Sequence, residues 1–265
     1  GDSLQKLAIT SVEEVSKLAP GLNLINAGAS TSVTLRGVTW QPGSGTPATP
    51  IYFNEIGFDP GNTIVSMFDV GQIEVLRGPQ GTSRGAPSIS GAVTIATRKP
   101  DLEEFGGFVR GLYGTAGIWN VQGAINVPVI KDVLAIRLAT NIENSEGSRI
   151  YSVNSTVEPK RNDRSFRATV LLKPNDTLSL QAMYQRRMTE KVRFDQVVGT
   201  GSPGAARSPL FLFGGLDAIP ARFNGPALTI DDHASVQDGA NLANEKVDLL
   251  TVNAVTLATA LLAGL

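Results

Sequence analysis

The chain has 265 residues, of which 42% are hydrophobic and 18% are charged, the composition of a folded protein rather than a disordered one. A formal net charge of −1 excludes a protein that binds nucleic acid by neutralising phosphates regardless of sequence. The absence of cysteine excludes disulfide frameworks and thiolate metal sites. The sequence shows neither a signal peptide nor a run of about 18 apolar residues that would form a membrane helix.

The first part of the chain predicts one short helix followed by short strands and loops. Ser11 and Glu14 fit a capping box for a helix from Val12 to Leu18, and Pro20-Gly21 would end that helix. Residues 41–50 (QPGSGTPATP) contain no apolar core residue and are predicted to form a loop. On its composition alone, this loop is a flexible linker.

A glycine-rich stretch from Phe68 to Pro100 organises the chain. An apolar strand with polar interruptions, residues 73–77, breaks at Gly78-Pro79, where glycine permits and proline fixes special backbone conformations. A second β-branched run follows at residues 92–97. A phosphate-binding loop is a poor interpretation, because the motif G-x-x-x-x-G-K-[ST] is absent and no helix is predicted to follow. The stretch therefore predicts a strand, a tight excursion and a second strand.

After Pro100, apolar and polar residues alternate with a period of two. Such alternation over about ten residues is typical of a membrane β-barrel strand, which has one face toward lipid and one toward the lumen. A soluble β-sandwich produces the same alternation, so the pattern alone leaves both architectures open. The predicted strands span residues 105–114, 118–127, 133–143, 165–173, 177–186 and, with a weaker pattern, 246–257.

The connections between these strands also alternate. Residues 128–132 and 173–176 are predicted to be tight turns, whereas residues 144–164 and 188–245 are predicted to be long loops. Bacterial outer-membrane barrels have short periplasmic turns and longer extracellular loops. The order of the strands puts both tight turns on one side, which favours a barrel with that side periplasmic.

Five short motifs occur in order along the first hundred residues. They are KLAPGL (17–22), LRGV (35–38), IYFNE (51–55), IEVLRGPQGT (73–82) and GAVTIATRKP (91–100). Together they resemble the plug domain of the TonB-dependent outer-membrane receptors, although Asn54 stands where the family more often has Asp.

The resemblance implies a mainly β protein, with an N-terminal α/β plug domain in residues 1–103 and antiparallel strands of an incomplete transmembrane β-barrel in residues 104–265. The family's barrel has about 22 strands and this chain has room for roughly six, so we expect a fragment of a larger receptor.

The resemblance also implies a location and a function. We expect a protein of the bacterial outer membrane that imports a scarce ligand, first of all a ferric siderophore, with proton motive force delivered through TonB. The expected partners are TonB, outer-membrane lipid and the small-molecule ligand, and nucleic acid is not expected. Two alternatives remain, a passive porin-like channel and a soluble β-sandwich binding module. The first needs no TonB-dependent uptake, and the second needs no detergent.

No catalytic chemistry is visible in the sequence. Neither a nucleophile–base pair nor a convergent pair of carboxylates occurs at an interpretable spacing, so we expect no enzyme, no catalytic residues and no cofactor. The one histidine, His233, follows Asp231 and Asp232. These residues supply too few ligands for a metal site, and we expect a solvated loop histidine and no bound metal.

The candidate site residues follow from the resemblance. Arg36, Glu74 and Arg77 are expected to hold the plug against the barrel wall, where desolvated charges need partners. Without the resemblance, they are solvated charges at strand ends. The plug turns are expected to depend on the glycines Gly37, Gly78, Gly81 and Gly91. Trp40, Tyr52 and Phe58 are expected to face the ligand, with packing inside the plug as the alternative.

The other expectations concern the barrel and its loops. Trp119 and Tyr184 suit an aromatic girdle at a membrane interface, or plain strand packing. The loop at residues 41–50 becomes a plug loop able to face ligand, and residues 144–164 and 188–245 are expected to select it. Charged residues at the base of the second long loop are expected to form a rim of solvated charge. They are Arg186, Arg187, Lys191 and Arg193.

Overall fold

A computed structural model describes most of the chain. No helix among the described residues has the length and apolar character needed to cross a bilayer. Apart from Ser16, the predicted helix from Val12 to Leu18 lies outside the described residues, as do residues 41–46 of the predicted loop. The described residues are 16, 19–26, 31–40, 47–58, 68–79, 88–115, 117–147, 149–194, 228, 232–236 and 239–256.

The described residues form fifteen strands in four sheets. The strands are β1 (Leu22–Asn26), β2 (Thr31–Leu35), β3 (Val38–Trp40), β4 (Ile51–Phe53), β5 (Ile56–Phe58), β6 (Val70–Arg77), β7 (Gly91–Thr97), β8 (Gly106–Tyr113), β9 (Trp119–Ile130), β10 (Leu134–Ser145), β11 (Tyr151–Ser152), β12 (Lys160–Asn175), β13 (Leu178–Arg193), β14 (Ala234–Ser235) and β15 (Asn241–Thr256).

Strands β1–β7, here called the plug strands, form two small sheets. The first is antiparallel in the order β1-β2-β3, and the second has the order β5-β4-β7-β6, with β4 and β7 parallel. The run of β-branched residues in β7 favours an extended backbone, and residues 91–95 of that strand are buried between its neighbours. One cluster of buried apolar residues joins both sheets. Its plug members are Ala19, Leu22, Val33, Leu35, Ile51, Phe53, Val70, Val93 and Ile95.

Gly91 shows why the glycine-rich stretch takes the form it does. Its φ of +140° is a conformation that L side chains rarely adopt. A Cβ atom at this position would lie 2.1 Å from the backbone oxygen of Leu76 and 2.7 Å from Cδ2 of Leu35. The absence of a side chain therefore lets β6, β7 and the neighbouring sheet approach closely.

Six longer strands form one antiparallel sheet in the order β8-β9-β10-β12-β13-β15, here called the wall. Each strand pairs with the next long strand along the chain, so the wall is an up-and-down meander. All six strands predicted from the alternation are present. Within the described residues the wall is an open sheet with β8 and β15 as its edges, as expected for part of a barrel.

The wall exposes apolar side chains and buries polar ones, the reverse of a sheet in a soluble protein. On β9, the apolar Trp119, Val121 and Ile125 are 40%, 40% and 41% exposed, whereas the polar Asn120 and Gln122 are 2% and 3% exposed. A soluble β-sandwich would bury its apolar face, so this distribution removes the sandwich alternative. It is the distribution of a lipid-facing exterior and a polar lumen. The predicted mainly β fold with an incomplete barrel is confirmed.

The wall strands are longer than the alternation predicted, and this is a correction to the loops. The predicted strand 165–173 extends to Lys160–Asn175, and the predicted strand 177–186 extends to Leu178–Arg193. The connections accordingly shorten to residues 146–159 and 194–240. The backbone ladder continues through residues that are mostly charged or polar, so regular hydrophobic alternation stops before the strands end.

The tight turns and the loops above the wall have their own hydrogen bonds. At the turn between β12 and β13, Asn175 Oδ1 accepts hydrogen bonds from the backbone N–H groups of Thr177 (3.1 Å) and Leu178 (2.9 Å). This caps the turn one to two residues beyond its predicted position. Strand β11 pairs in parallel with β14, which ties the two long connections together. The division at residue 103 between plug and barrel stays a prediction.

Candidate functional site: the contact between plug and wall

A buried ion pair joins the first plug residues of the glycine-rich stretch to the wall. Asp69 lies immediately before β6, and Arg137 is an inward-facing residue of β10. Arg137 donates from Nε to Oδ2 of Asp69 at 2.7 Å and from Nη2 to Oδ1 at 2.6 Å. The side chains are only 10% and 2% exposed. Two parallel charge-assisted hydrogen bonds fix both the position and the orientation of the carboxylate.

A second wall arginine, Arg167 of β12, completes this contact. It is fully enclosed, and its Nη1 donates to the backbone oxygens of Phe68 (3.0 Å) and Asp69 (3.4 Å). Its Nε donates to Oε1 of Gln185 at 2.8 Å. The guanidinium carbon lies 4.3 Å from the ring centroid of Phe68 and 5.5 Å from that of Phe53, within cation–π range. We call Phe68, Asp69, Arg137 and Arg167 the latch.

One residue of the latch, Asp69, has an unfavourable backbone conformation. Asp69 has a φ of +49°, a left-handed conformation that Asp tolerates better than most residues. Its carbonyl oxygen also accepts a hydrogen bond from the backbone N–H of Arg98 at 3.0 Å, which ties the beginning of β6 to the end of β7. Arg137 binds the carboxylate and Arg167 binds the backbone oxygens beside it, so the latch has two guanidinium groups for one carboxylate and an excess of one positive charge.

Apolar contacts surround the latch. Met183 of β13 is fully buried and belongs to the same cluster as the plug core, while Phe68 packs with Ala124 and Ala139 of the wall. Small wall side chains let the plug approach the sheet closely. Asn54, at a φ of +46°, donates from Nδ2 to the sulfur of Met183 at 3.1 Å. Its Oδ1 accepts the backbone N–H of Thr97 at 2.9 Å, so one amide links two plug strands to the wall.

The chain leaves the plug through a junction that is also fixed to the wall. Asn126 of β9 accepts the backbone N–H of Asp101 at 2.8 Å, and its Nδ2 donates to the carbonyl oxygens of Asp101 (3.0 Å) and Glu104 (2.7 Å). The Asp101 carboxylate accepts the backbone N–H groups of Glu103 (2.8 Å) and Glu104 (3.1 Å). These two hydrogen bonds hold the pKa of Asp101 below its ordinary value of 3.8.

The predicted plug charges lie elsewhere. Arg36, Glu74 and Arg77 are exposed, and within the described residues none of them forms an ion pair with a wall strand. Glu74 Oε1 accepts a hydrogen bond from Gln72 Nε2 at 2.7 Å, and the backbone N–H of Arg36 donates to Gly21 at 2.9 Å. Their role in holding the plug stays a prediction.

The remaining predicted residues divide between described and undescribed parts. Gly37, Gly78 and Gly91 have positive φ values, Gly91 as the first residue of β7, and Gly81 lies outside the described residues. The dependence of the plug turns on these glycines stays a prediction. Tyr52 is 3% exposed, which favours packing over ligand contact. The side chains of Trp40 and Phe58 lie outside the described residues.

Two aromatic residues of the wall and the one histidine can be compared with their predictions. Trp119 and Tyr184 lie on the outward face, as an aromatic girdle requires, and Tyr184 donates to Asp248 Oδ1 at 2.6 Å. His233 is exposed, and the described residues contain no group of three side chains able to hold a metal ion.

The expected rim of solvated charge is wrong for at least one of its members. Arg187 faces the lumen and is buried, and its Nε donates to both carboxylate oxygens of Asp163 at 3.0 Å. Thr189 Oγ1 donates to the same carboxylate at 3.2 Å. Arg186, the next residue in the chain, points outward and pairs with Asp248. Strand periodicity separates two adjacent arginines onto opposite faces, which a charge cluster in the sequence does not reveal.

The latch itself was missed by sequence reasoning. The polar faces of the predicted strands already included Arg137 and Arg167, and Phe68-Asp69 opened the organising stretch. The available signal was the occurrence of arginine among short polar residues on the lumen face. The pairing depends on how the plug docks, which the sequence pattern does not specify.

Comparisons with known proteins identify the relatives of this arrangement. Residues 1–92 match the family model of the TonB-dependent receptor plug domain. The pesticin receptor of Yersinia enterocolitica is 34% identical over 100 residues, which cover 37% of this chain and 15% of that protein. The catecholate siderophore receptor Fiu of Escherichia coli is 28% identical over 133 residues, covering 49% of this chain and 16% of that protein.

A solved structure shows the same fold over most of the chain. The ferric yersiniabactin uptake receptor FyuA from Yersinia pestis superposes with a TM-score of 0.68 at 22% identity, covering 76% of this chain and 32% of that one. The chain thus spans only about a sixth of the curated relatives' length and a third of the solved one. All three of these relatives are receptors by name. Residues 1–92 thus form a TonB-dependent receptor plug domain, and the chain is similar in sequence and fold to part of receptors that take up siderophores.

Proposed function

We propose that the receptor to which this chain belongs imports a ferric siderophore across the bacterial outer membrane with energy delivered through TonB. The observation that carries the proposal is the latch, a buried polar contact between a plug and the inner face of a wall. The relatives support the ligand class, because Fiu is a catecholate siderophore receptor and FyuA takes up ferric yersiniabactin.

A polar latch suits a plug that must move and return. When the plug moves away from the wall, water can form hydrogen bonds with the ionic and polar groups that are separated. A contact made of apolar surface alone would instead expose that surface to water, which costs free energy. The lumen face offers such groups along its length, including Asn120, Gln122 and Asn141. Opening therefore exchanges protein partners for water. The buried charges keep the closed state specific, since removing one partner of a buried pair costs about 3–5 kcal/mol.

Ligand binding must act on the plug through a difference in affinity. A ligand that binds two plug states equally well shifts neither, so transport requires contacts that change when the plug moves. Trp40 and Phe58 are proposed as ligand contacts together with the loops at residues 146–159 and 194–240. The burial of Tyr52 makes it a packing residue in this proposal.

The second set of plug contacts is proposed to involve Arg36, Glu74 and Arg77. These side chains are exposed on the plug, and none of them forms an ion pair with the wall within the described residues. In a complete barrel the plug is surrounded on all sides, so these charges would meet other wall strands and would need partners there. The proposed boundary at residue 103 falls between the end of β7 at Thr97 and the beginning of β8 at Gly106.

The experiment is uptake of ⁵⁵Fe-labelled siderophores by iron-starved cells that carry or lack the complete gene. The gene is expected to restore uptake of at least one ferric siderophore, and a protonophore or loss of TonB is expected to abolish it. A passive porin-like channel would instead give uptake that neither treatment affects. Energised uptake of a different ligand with no ferric siderophore transported would overturn the ligand class and leave the transport mechanism intact.

A further inference from the structure

The outward face of the wall changes from apolar to charged along the strands. Near the short turns it carries apolar side chains such as Leu138, Val170 and Leu250. Toward the long loops it carries several charged residues on three adjacent strands. The charged residues are Lys160 and Arg164 on β12, Arg186 and Glu190 on β13, and Lys246 and Asp248 on β15.

Strand register brings two of these cations into one row. Arg164 pairs with Met188, and Met188 pairs with Lys246, so the two cations flank one methionine. Neighbouring strands lie about 4.8 Å apart, which separates the backbones of the two cationic residues by roughly 10 Å. Long Arg and Lys side chains can span that gap toward a common ligand. Both residues also line an open pocket of about 420 Å³.

The neighbouring charges are largely neutralised, but these two are not. Arg186 donates to Asp248 at 2.7 and 3.0 Å, and Lys160 lies 2.6 Å from Glu190. Among the described residues, neither Arg164 nor Lys246 has an ion-pair partner. The outward face therefore has two positive charges in excess at this row. The pocket is also lined by Glu190 and by Glu245, but Glu190 is already paired and Glu245 alternates to the lumen side of β15.

The height of this row matches the outer edge of the membrane. Leu178 lies at the end of β13 that we assign to the periplasm, and Met188 lies ten residues further along the strand. A rise of about 3.3 Å per residue and a tilt of about 40° place the row roughly 25 Å above that end, the height of a barrel's apolar band. An outward Arg or Lys costs about 2–4 kcal/mol at the midplane and about 0–1 kcal/mol at the interface. The two cations thus lie at headgroup level in the outer leaflet.

We infer that Arg164 and Lys246 bind a phosphate group of lipopolysaccharide, the phosphate-bearing glycolipid of the outer leaflet. Met188 between them supplies an apolar floor against which the sugar or the first acyl carbons can pack. The amide of Asn244, which lines the same pocket, is a hydrogen-bonding group for a sugar hydroxyl. This inference requires the outer-membrane location and not the identity of the imported ligand.

The test is native mass spectrometry of the complete receptor, purified in detergent and titrated with lipopolysaccharide. The double variant Arg164→Gln, Lys246→Gln is expected to bind about 30-fold more weakly, as the loss of two basic residues at an anionic membrane surface implies. Lys173→Gln, which makes the same change at an exposed position at the opposite end of β12, is the matched control and should bind like the wild type.

A second arm uses the unchanged receptor with enzymatically dephosphorylated lipopolysaccharide, so that the test does not depend on how the variants fold. Dephosphorylation is expected to weaken binding by a similar factor. Equal binding of the phosphorylated and dephosphorylated lipids would overturn the inference. So would a folded double variant that binds as tightly as the Lys173→Gln control. Siderophore uptake by the wild type bears on neither result.

Discussion

Replacing Asp69 by Asn tests whether the latch holds the plug. Asparagine keeps the size of the side chain and tolerates the φ of +49°, so the substitution removes the negative charge with little effect on the backbone. It leaves the buried Arg137 and Arg167 without a counter-ion. The carboxylate accepts two hydrogen bonds at 2.7 and 2.6 Å and is only 2% exposed, so solvent cannot replace it in the closed state.

The expected magnitude follows from the burial of the pair. Breaking a buried ion pair costs about 3–5 kcal/mol, and because asparagine retains one acceptor oxygen we expect about 3 kcal/mol. At about 1.4 kcal/mol per factor of ten, this raises the population of the opened plug by roughly 150-fold. Native-state hydrogen exchange of the complete receptor in detergent should show that increase in the amides of β6 and β7.

The control is Asp132→Asn, which makes the same chemical change in an exposed turn where Asp132 also has a positive φ of +62°. That variant should exchange like the wild type. If Asp69→Asn leaves the exchange of β6 and β7 unchanged, the latch does not hold the plug, and the central argument is refuted. Adding Arg137→Gln to Asp69→Asn should recover part of the loss, because it removes one of the two uncompensated charges.

Three further predictions concern the plug and its junction. Gly91→Ala should prevent correct docking of β6 and β7, because the added Cβ would lie 2.1 Å from the Leu76 backbone oxygen. The expected result is loss of the heat-modifiable folded receptor on gels, and normal folding would contradict the prediction. Asn126→Ala removes three hydrogen bonds and should make the junction at residues 101–104 at least tenfold more sensitive to protease, with unchanged cleavage arguing against a fixed junction. Because the pKa of Asp101 is lowered in the folded protein, the stability that this carboxylate contributes is complete above the unfolded-state pKa and is lost as pH falls through the lower folded-state pKa. An NMR titration of the Asp101 carboxyl with a midpoint at or above 3.8 would contradict the prediction.

The sequence predicted the wall well because its signal is local. Alternation along each strand identified all six wall strands and assigned Trp119 and Asn120 to opposite faces, because a period of two needs only the neighbouring residues. The strand ends were missed at Lys160 and Arg193, where most residues are charged or polar. There the hydrogen-bond ladder continues without the hydrophobic pattern that marks it.

The site was predicted less well because it depends on contacts between distant parts of the chain. Asp69 and Arg137 are 68 residues apart, and nothing in the spacing of either one indicates the other. The resemblance to the plug motif pointed instead to charged residues of the glycine-rich stretch, such as Arg77. Arg167 looked like one polar residue among several on a wet face. Only docking of the plug turns that face into a buried one.

The polar lumen face suits a sheet that serves both the closed and the opened state of the proposed transport cycle. Burying Asn120, Gln122 and Asn141 behind a plug requires hydrogen-bond partners, and the wall supplies some of them itself, as Asn120 Nδ2 donates to Asn141 Oδ1 at 2.9 Å. Those bonds persist when the plug moves, and water satisfies the groups that the plug leaves. Most of the difference between the states therefore falls on a few contacts, the latch among them. In the proposed transport cycle, the Asp69–Arg137 ion pair would be a contact that ligand and TonB need to shift by only a few kcal/mol, the range over which a two-state equilibrium responds.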